Sequence, residues 1–264
     1  LNWKSLTFAL TPILASVANG SYLISITFHY NFLYLMTDGT TGLFSETTYG
    51  GGTKTPIAVV ISQSKNLALE NTSFSGGSYY SGQVNSSVVN VPSFTPWTGS
   101  GVFSSDGADG YKFTWEASGS ADGTTIKANE QTSYPAFYSA AHYTPTLPAG
   151  KTLTGSIVGK KWFLPSLGEV LRIYPALKDL DTSAGFYARD MGGGMIDPSY
   201  WQLGMYSPGN PSGMASMAFR QVNGVLPTGL MITSSQSDTG YLIMANYWIE
   251  IGGYSGGVRP FIHY

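Results

Sequence analysis

The sequence predicts an α+β protein, and three observations carry that prediction. Tyr22 to Met36 alternates at period two, two short helical stretches lie in the middle of the chain, and strand-like segments return after Gly194. Elements grouped in runs, rather than alternating, argue against a doubly wound α/β arrangement.

Each element has its own signal. Tyr22, Ile24, Ile26, Phe28, Tyr30, Phe32, Tyr34 and Met36 fall in phase opposite Ser25, Thr27, His29 and Asn31, so we expect one buried and one wet face. Thr7–Leu10 offers a hairpin partner, and Asp38–Gly42 a turn. Gly50–Thr55 reads as a flexible joint; it lacks the first Gly of a phosphate loop. Pro56–Ser62 predicts a short buried strand, and Leu67–Gly110 long loops with short strands.

Helices come next. Ser133-Tyr-Pro-Ala-Phe-Tyr-Ser-Ala-Ala predicts a short helix capped by Ser133, with Pro135 in its first turn. The second follows the strand Trp162–Leu164. Pro165 leads into Ser166 and Glu169, an S-x-x-E capping box, and Leu167, Val170, Leu171, Tyr174, Leu177 and Leu180 form one apolar stripe. Pro175 bends this helix or closes its first half. Trp162 and Leu164 are expected on one face and Phe163 on the other. Gly229–Thr233, Gly240–Ala245 and Tyr247–Gly252 read as a meander, and Val258–Tyr264 as a closing strand.

Composition narrows the function. Only 11% of residues are charged, where soluble domains average about a quarter. A neutral surface rich in Gly, Ser, Thr and Tyr suits an extracellular or cell-surface β protein. The net charge of −2, without a basic cluster beyond Lys160–Lys161, argues against nucleic-acid binding. The absence of cysteine excludes disulfides, thiol catalysis and zinc–thiolate sites. No apolar run reaches 18 residues, so no membrane span is expected. A start at Leu1 without Met is read as a processed or trimmed form.

No catalytic residues are assigned. Gly253-Tyr-Ser-Gly-Gly spells G-x-S-x-G, but too little chain follows it for the helix of a nucleophile elbow. His29, His142 and His263 are scattered in sequence, and no metal ligands or converging carboxylates are assigned. Asp106-Gly-Ala-Asp-Gly and Asp122-Gly could supply oxygens to a structural Ca²⁺, but solvated turns are the favoured reading, and no cofactor is expected. Glu169 is assigned to backbone N–H groups at its helix start. Arg259 is expected to be partly buried and to lock the fold by pairing with Glu250 or Glu169.

The stretch WFLPSLGEVLRIY resembles the W-x-L-P-S/T-x-x-E-L signature of the Lcl-type domain, the C-terminal domain of Legionella collagen-like protein and its relatives. Gly257-Val-Arg-Pro-Phe resembles the terminal V-R-P-V/I of that family. Thr132–Ala141 and Tyr241–Ile251 fit its helix and strands. Thr233-Ser-Ser-Gln-Ser fits its W-S-S segment, with Ile232 in place of Trp and Gln236 in place of Glu. The resemblance spans Thr55 to Tyr264. It implies a C-type-lectin-like core, similar to formylglycine-generating-enzyme folds, over residues 55–264. Residues 1–54 are then an N-terminal β segment: a remnant of a pilin-like β-sandwich, or strands built into the main domain. Trp162, Pro165, Ser166, Glu169 and Arg259 are its structural residues. The cysteine-dependent activity and the calcium–sugar motifs of those folds are absent from this chain.

Relatives of this form face ligands on surface proteins and fimbrial tips of gut Bacteroidetes. The expected function is therefore a non-catalytic adhesin that binds a glycan or an extracellular protein through aromatic loops, at the cell surface or on a fimbrium. Tyr187, Tyr200, Trp201, Tyr206, Tyr241, Tyr247, Trp248 and Tyr254 lie in or beside Gly/Ser/Asn-rich loops. Tyr200, Trp201, Tyr206, Asn210 and Tyr254 are the candidate ligand residues. The alternatives are a structural pilus subunit, with the Tyr22–Met36 strand pairing onto neighbouring subunits, and a hydrolase of unknown type.

Overall fold

The apolar run Pro56–Ser62 forms the spine of the larger sheet. The computed structural model describes residues 32–71, 78–80, 109–166, 169–170, 173, 186–187, 202–203, 214–226, 230–237, 240–245, 248–251 and 255–264. All belong to one compact unit, Asn31–Tyr264. The strands are β1 (Leu33–Met36), β2 (Thr41–Leu43), β3 (Pro56–Ser62), β4 (Leu67–Glu70), β5 (Ser78–Tyr80), β6 (Trp162–Phe163), β7 (Phe186–Tyr187) and β8 (Gln202–Leu203). They continue with β9 (Leu230–Ser237), β10 (Gly240–Ala245), β11 (Trp248–Ile251), β12 (Ser255–Gly257) and β13 (Phe261–His263). Helices α1 (Gly110–Trp115), α2 (Pro135–Ala141) and α3 (Met214–Arg220) join helical residues Glu169, Val170 and Ile173. The class is α+β.

Six strands run in the order β2-β1-β3-β4-β13-β6 and five in the order β11-β10-β9-β12-β5, while β7 and β8 form a separate pair. Every pairing in these sheets is antiparallel except that of β12 with β9. The predicted meander is β9-β10-β11. The closing strand expected over Val258–Tyr264 is β13, Phe261–His263; Val258–Pro260 lead into it from β12, which belongs to the other sheet.

β3 is buried along both faces up to Ser62, which explains its unbroken apolar sequence. β1 departs from the expected wet-and-dry alternation, because Tyr34 and Leu35 are both buried. Leu35 enters a cluster with Ile57, Val60, Ala68, Tyr143, Ile157, Trp162 and Ile262. The Tyr34 hydroxyl instead donates to the Ala218 carbonyl of α3 at 2.8 Å. Helix and core thus cover opposite faces of the same strand. Residues 22–31 of the predicted long strand, and Thr7–Leu10, lie outside the described residues.

Within the segment 1–54, Leu33–Met36 and Thr41–Leu43 are strands of the six-stranded sheet, and residues 1–31 lie outside the described residues. Gly50–Thr55 is a hydrogen-bonded turn, not a flexible joint. Gly50 and Gly52 N–H groups both donate to the Thr47 carbonyl, at 3.0 and 2.8 Å, and Lys54 N–H donates to Glu46. Helices α1 and α3 were not expected. α2 starts as predicted at Pro135, but its cap position is Tyr134, not Ser133, and has no side-chain cap bond. Among the described residues no helix is long and apolar enough to cross a membrane.

Candidate functional site

The stretch from Trp162 to Glu169 is a joint where both large sheets meet two helix starts. The Trp162 carbonyl accepts from Trp115 Nε1 at 2.7 Å, and Leu164 N–H donates to Thr114 Oγ1 at 3.2 Å, fixing α1 along β6. The Pro165 carbonyl accepts from Ser234 N–H of β9 at 2.7 Å, which ties in the five-stranded sheet. Trp162 and Leu164 do not share one apolar cluster. Trp162 joins the cluster around Leu35, while Leu164 packs with Phe113, Ala136, Phe137, Ala140, Ile232 and Val258.

The predicted capping box forms. Ser166 N–H donates to Glu169 Oε2 at 2.8 Å, and Glu169 N–H donates to Ser166 Oγ at 3.3 Å. Oε2 also accepts Gly110 N–H from the start of α1 at 3.2 Å, so one carboxylate oxygen serves two helix starts. Gly110 is required by this close approach. A Cβ there would strike the Leu164 carbonyl, Glu169 Oε2 and Pro165 Cα.

Two further ionisable groups converge on Glu169. Asp109 is the N-cap of α1 and accepts Lys112 N–H on Oδ1 at 3.1 Å. His263 projects from β13, which pairs with β6, and its ring stacks on Phe163 with centroids 4.9 Å apart. One ligand atom from each of Asp109, Glu169 and His263 lies within 4.8 Å of the others. His263 Nδ1 is 3.1 Å from the Lys65 carbonyl. A carbonyl only accepts, so Nδ1 carries the proton and Nε2 is left with a lone pair. Burial pushes the Glu169 carboxyl up to about 7, and the charge of Asp109 adds to the rise against the backbone hydrogen bonds that oppose it. Such a cluster can share a proton or hold a cation. His263 is therefore not isolated, and Asp109 and Glu169 are converging carboxylates that sequence reading did not assign. The Asp-Gly-Tyr string at 109–111 was the available local signal for Asp109 as a cap.

A second joint lies at the crossover between sheets. Arg259 pairs with the buried carboxylate of Glu70 on β4, not with Glu250 or Glu169 as expected. Its Nη2 donates to the Glu70 carbonyl at 3.2 Å and to the Val225 carbonyl at 3.0 Å, and its guanidinium lies 6.0 Å from the Phe219 ring centroid of α3. Arg259 is thus buried and paired, with a partner other than the two expected. Lys127 is a third buried charge, which sequence reading missed. It donates to the carbonyls of Phe113 and Gly119 and lies 5.2–5.9 Å from the ring centroids of Phe113, Tyr134 and Phe137. Burial lowers its ammonium to about 8, with Asp122 opposing the shift. Asp122 itself closes a turn, accepting Thr124 and Thr125 N–H groups, both at 2.9 Å.

The candidate ligand residues Tyr200, Trp201, Tyr206, Asn210 and Tyr254 lie outside the described residues. Their neighbourhood is partly described: β7, which contains Tyr187, pairs with β8, which begins immediately after Trp201. Tyr241 and Trp248 belong to β10 and β11 of the expected meander. No protein-family model, curated protein or solved structure matches the chain.

Proposed function

We propose that this chain is a non-catalytic, ligand-binding adhesin of the cell surface or fimbrial tip, with a C-type-lectin-like core of the Lcl type. The observation that carries the reading is the mounting of residues 174–213. In sequence that stretch lies between the joint built by Trp162, Pro165, Ser166 and Glu169 and helix α3; it contains the β7–β8 pair and carries Tyr200 and Trp201 directly before β8. A scaffold held by buried polar joints, bearing an insert rich in Tyr, Trp, Gly and Ser, suits adaptable recognition of a glycan or extracellular protein. Glu169 is engaged first in holding two helix starts, which favours a structural use of that carboxylate over hydrolysis.

The pilus-subunit alternative requires a free strand edge. Over residues 33–36 that edge is taken, because β1 is paired with β2 on one side and β3 on the other. The test is a glycan and matrix-protein array probed with the purified chain, with sedimentation velocity run in parallel. Specific capture by a monomer supports the adhesin. An array without capture, together with concentration-dependent self-association, supports the pilus subunit instead.

A further inference from the structure

We propose that Asn223–Gly224 is a self-modification site that the fold holds closed. When its turn opens, the dipeptide cyclises and hydrolyses to aspartate or isoaspartate, and the Arg259 joint no longer closes as before. Asn223 follows α3 in the left-handed region, at φ 57°, where Asn is better tolerated than most residues. It is exposed, and among the described residues its side-chain amide has no hydrogen-bond partner. Gly224 is required, because a Cβ there would strike the Asn71 carbonyl. The turn thus demands the pair in which no side chain shields the Asn amide carbon from the next backbone nitrogen.

The covalent step needs only water. The Gly224 nitrogen loses its proton and attacks Asn223 Cγ; a C–N bond forms, the side-chain nitrogen leaves as ammonia, and a cyclic succinimide results. Water then opens the ring at either carbonyl, giving aspartate or isoaspartate, whose main chain is longer by the Cβ atom. In the folded chain Gly224 N–H donates to the Phe219 carbonyl at 2.8 Å, which withholds the nucleophile. The neighbouring contacts set the consequence. Val225 N–H donates to the Asn71 carbonyl at 3.0 Å, and the Val225 carbonyl accepts from Arg259 Nη2 at 3.0 Å. A main chain lengthened at position 223 cannot keep Gly224 on Phe219 and Val225 on Asn71 together. Arg259 then loses an acceptor beside its buried pair with Glu70.

The experiment incubates the full chain in warm, mildly alkaline buffer, with and without denaturing urea, and follows Asn223 by peptide mapping and mass spectrometry. Asn19–Gly20, the other Asn-Gly pair in the sequence, is the internal reference in each digest. The expected result is conversion of Asn223 in urea and conversion ~10-fold or more slower in buffer, because reaction waits on local opening. Arg259→Met should speed Asn223 in buffer relative to Asn19. Wild type in urea below its unfolding transition repeats that comparison without a variant. The isoaspartate form, separated by ion exchange, should melt lower than the fresh chain. Asn223→Asp, which carries the same charge on an ordinary backbone, should melt close to wild type. Equal rates in buffer and urea overturn the proposal, as does an Asn223 that stays intact in urea. So does a ratio to Asn19 that neither Arg259→Met nor low urea raises, or an isoaspartate form that melts with the fresh chain.

Discussion

Replacing Arg259 by Met should be among the most damaging single changes in the described structure. The side chain is buried against Glu70, itself fully buried, and donates to two main-chain carbonyls on different segments. Removing one partner of a buried ion pair costs about 3–5 kcal/mol, because the other charge stays in a low-dielectric site. The carbonyls of Glu70 and Val225 lose a donor at about 1 kcal/mol each, although such terms overlap within one network. We therefore expect a loss of about 4 kcal/mol in urea denaturation followed by circular dichroism. At about 2–4 °C per kcal/mol for a chain of this size, the thermal midpoint falls by roughly 8–16 °C. Adding Glu70→Gln to Arg259→Met removes the stranded charge and should recover about half the loss, so the coupling is about 2 kcal/mol plus whatever Glu70→Gln costs alone. A loss below about 1 kcal/mol for Arg259→Met, or additive single and double variants, would refute the claim that this pair locks the crossover between sheets.

Three further predictions concern the other joints. Glu169→Ala leaves two buried N–H groups without their acceptor and should cost about 2–4 kcal/mol, whereas Glu169→Gln keeps a carbonyl there and should cost about 1 kcal/mol; chemical denaturation compares them. Gly110→Ala drives a methyl group into the Leu164 and Pro165 backbone and should destabilise by about 1–3 kcal/mol, measured in the same way. Lys127 has a folded value of about 8 against an ordinary 10.5, so between these the unfolded chain binds more protons than the folded one. Its contribution is present above the unfolded value and is lost as pH falls through about 8. Wild type should therefore gain stability relative to Lys127→Met as pH rises across that window, and parallel melting curves would sink the idea.

Local signals made part of this fold legible. Pro56–Ser62 is apolar at every position but its last, as a strand covered on both faces must be. Ser166 and Glu169 sit three residues apart, so their capping box is written in a single turn of chain. α1 and α3 escaped because six- and seven-residue helices are too short to show a full apolar period. The partner of Arg259 escaped for another reason: Glu70 lies 189 residues away, and burial of an ion pair leaves no local pattern. The same holds for His263, which meets Asp109 and Glu169 only because β13 is laid beside β6. The candidate aromatic residues stand out by composition, which places no side chain; they lie outside the described residues, with Trp201 directly before β8 and Tyr254 directly before β12 in sequence.

Ligand binding by the aromatic stretch 174–213 is the central proposal. The most direct measurement is a binding titration of the strongest array ligand against wild type, Trp201→Ala, Tyr206→Ala and Val158→Ala. Val158 is 61% exposed and serves as a surface control outside residues 174–213. Loss of a buried aromatic anchor costs about 2 kcal/mol or more, so Trp201→Ala should weaken binding about 30-fold with an unchanged unfolding midpoint, and Val158→Ala should bind as wild type. Equal affinity across all four proteins would contradict the claim and move recognition away from residues 174–213.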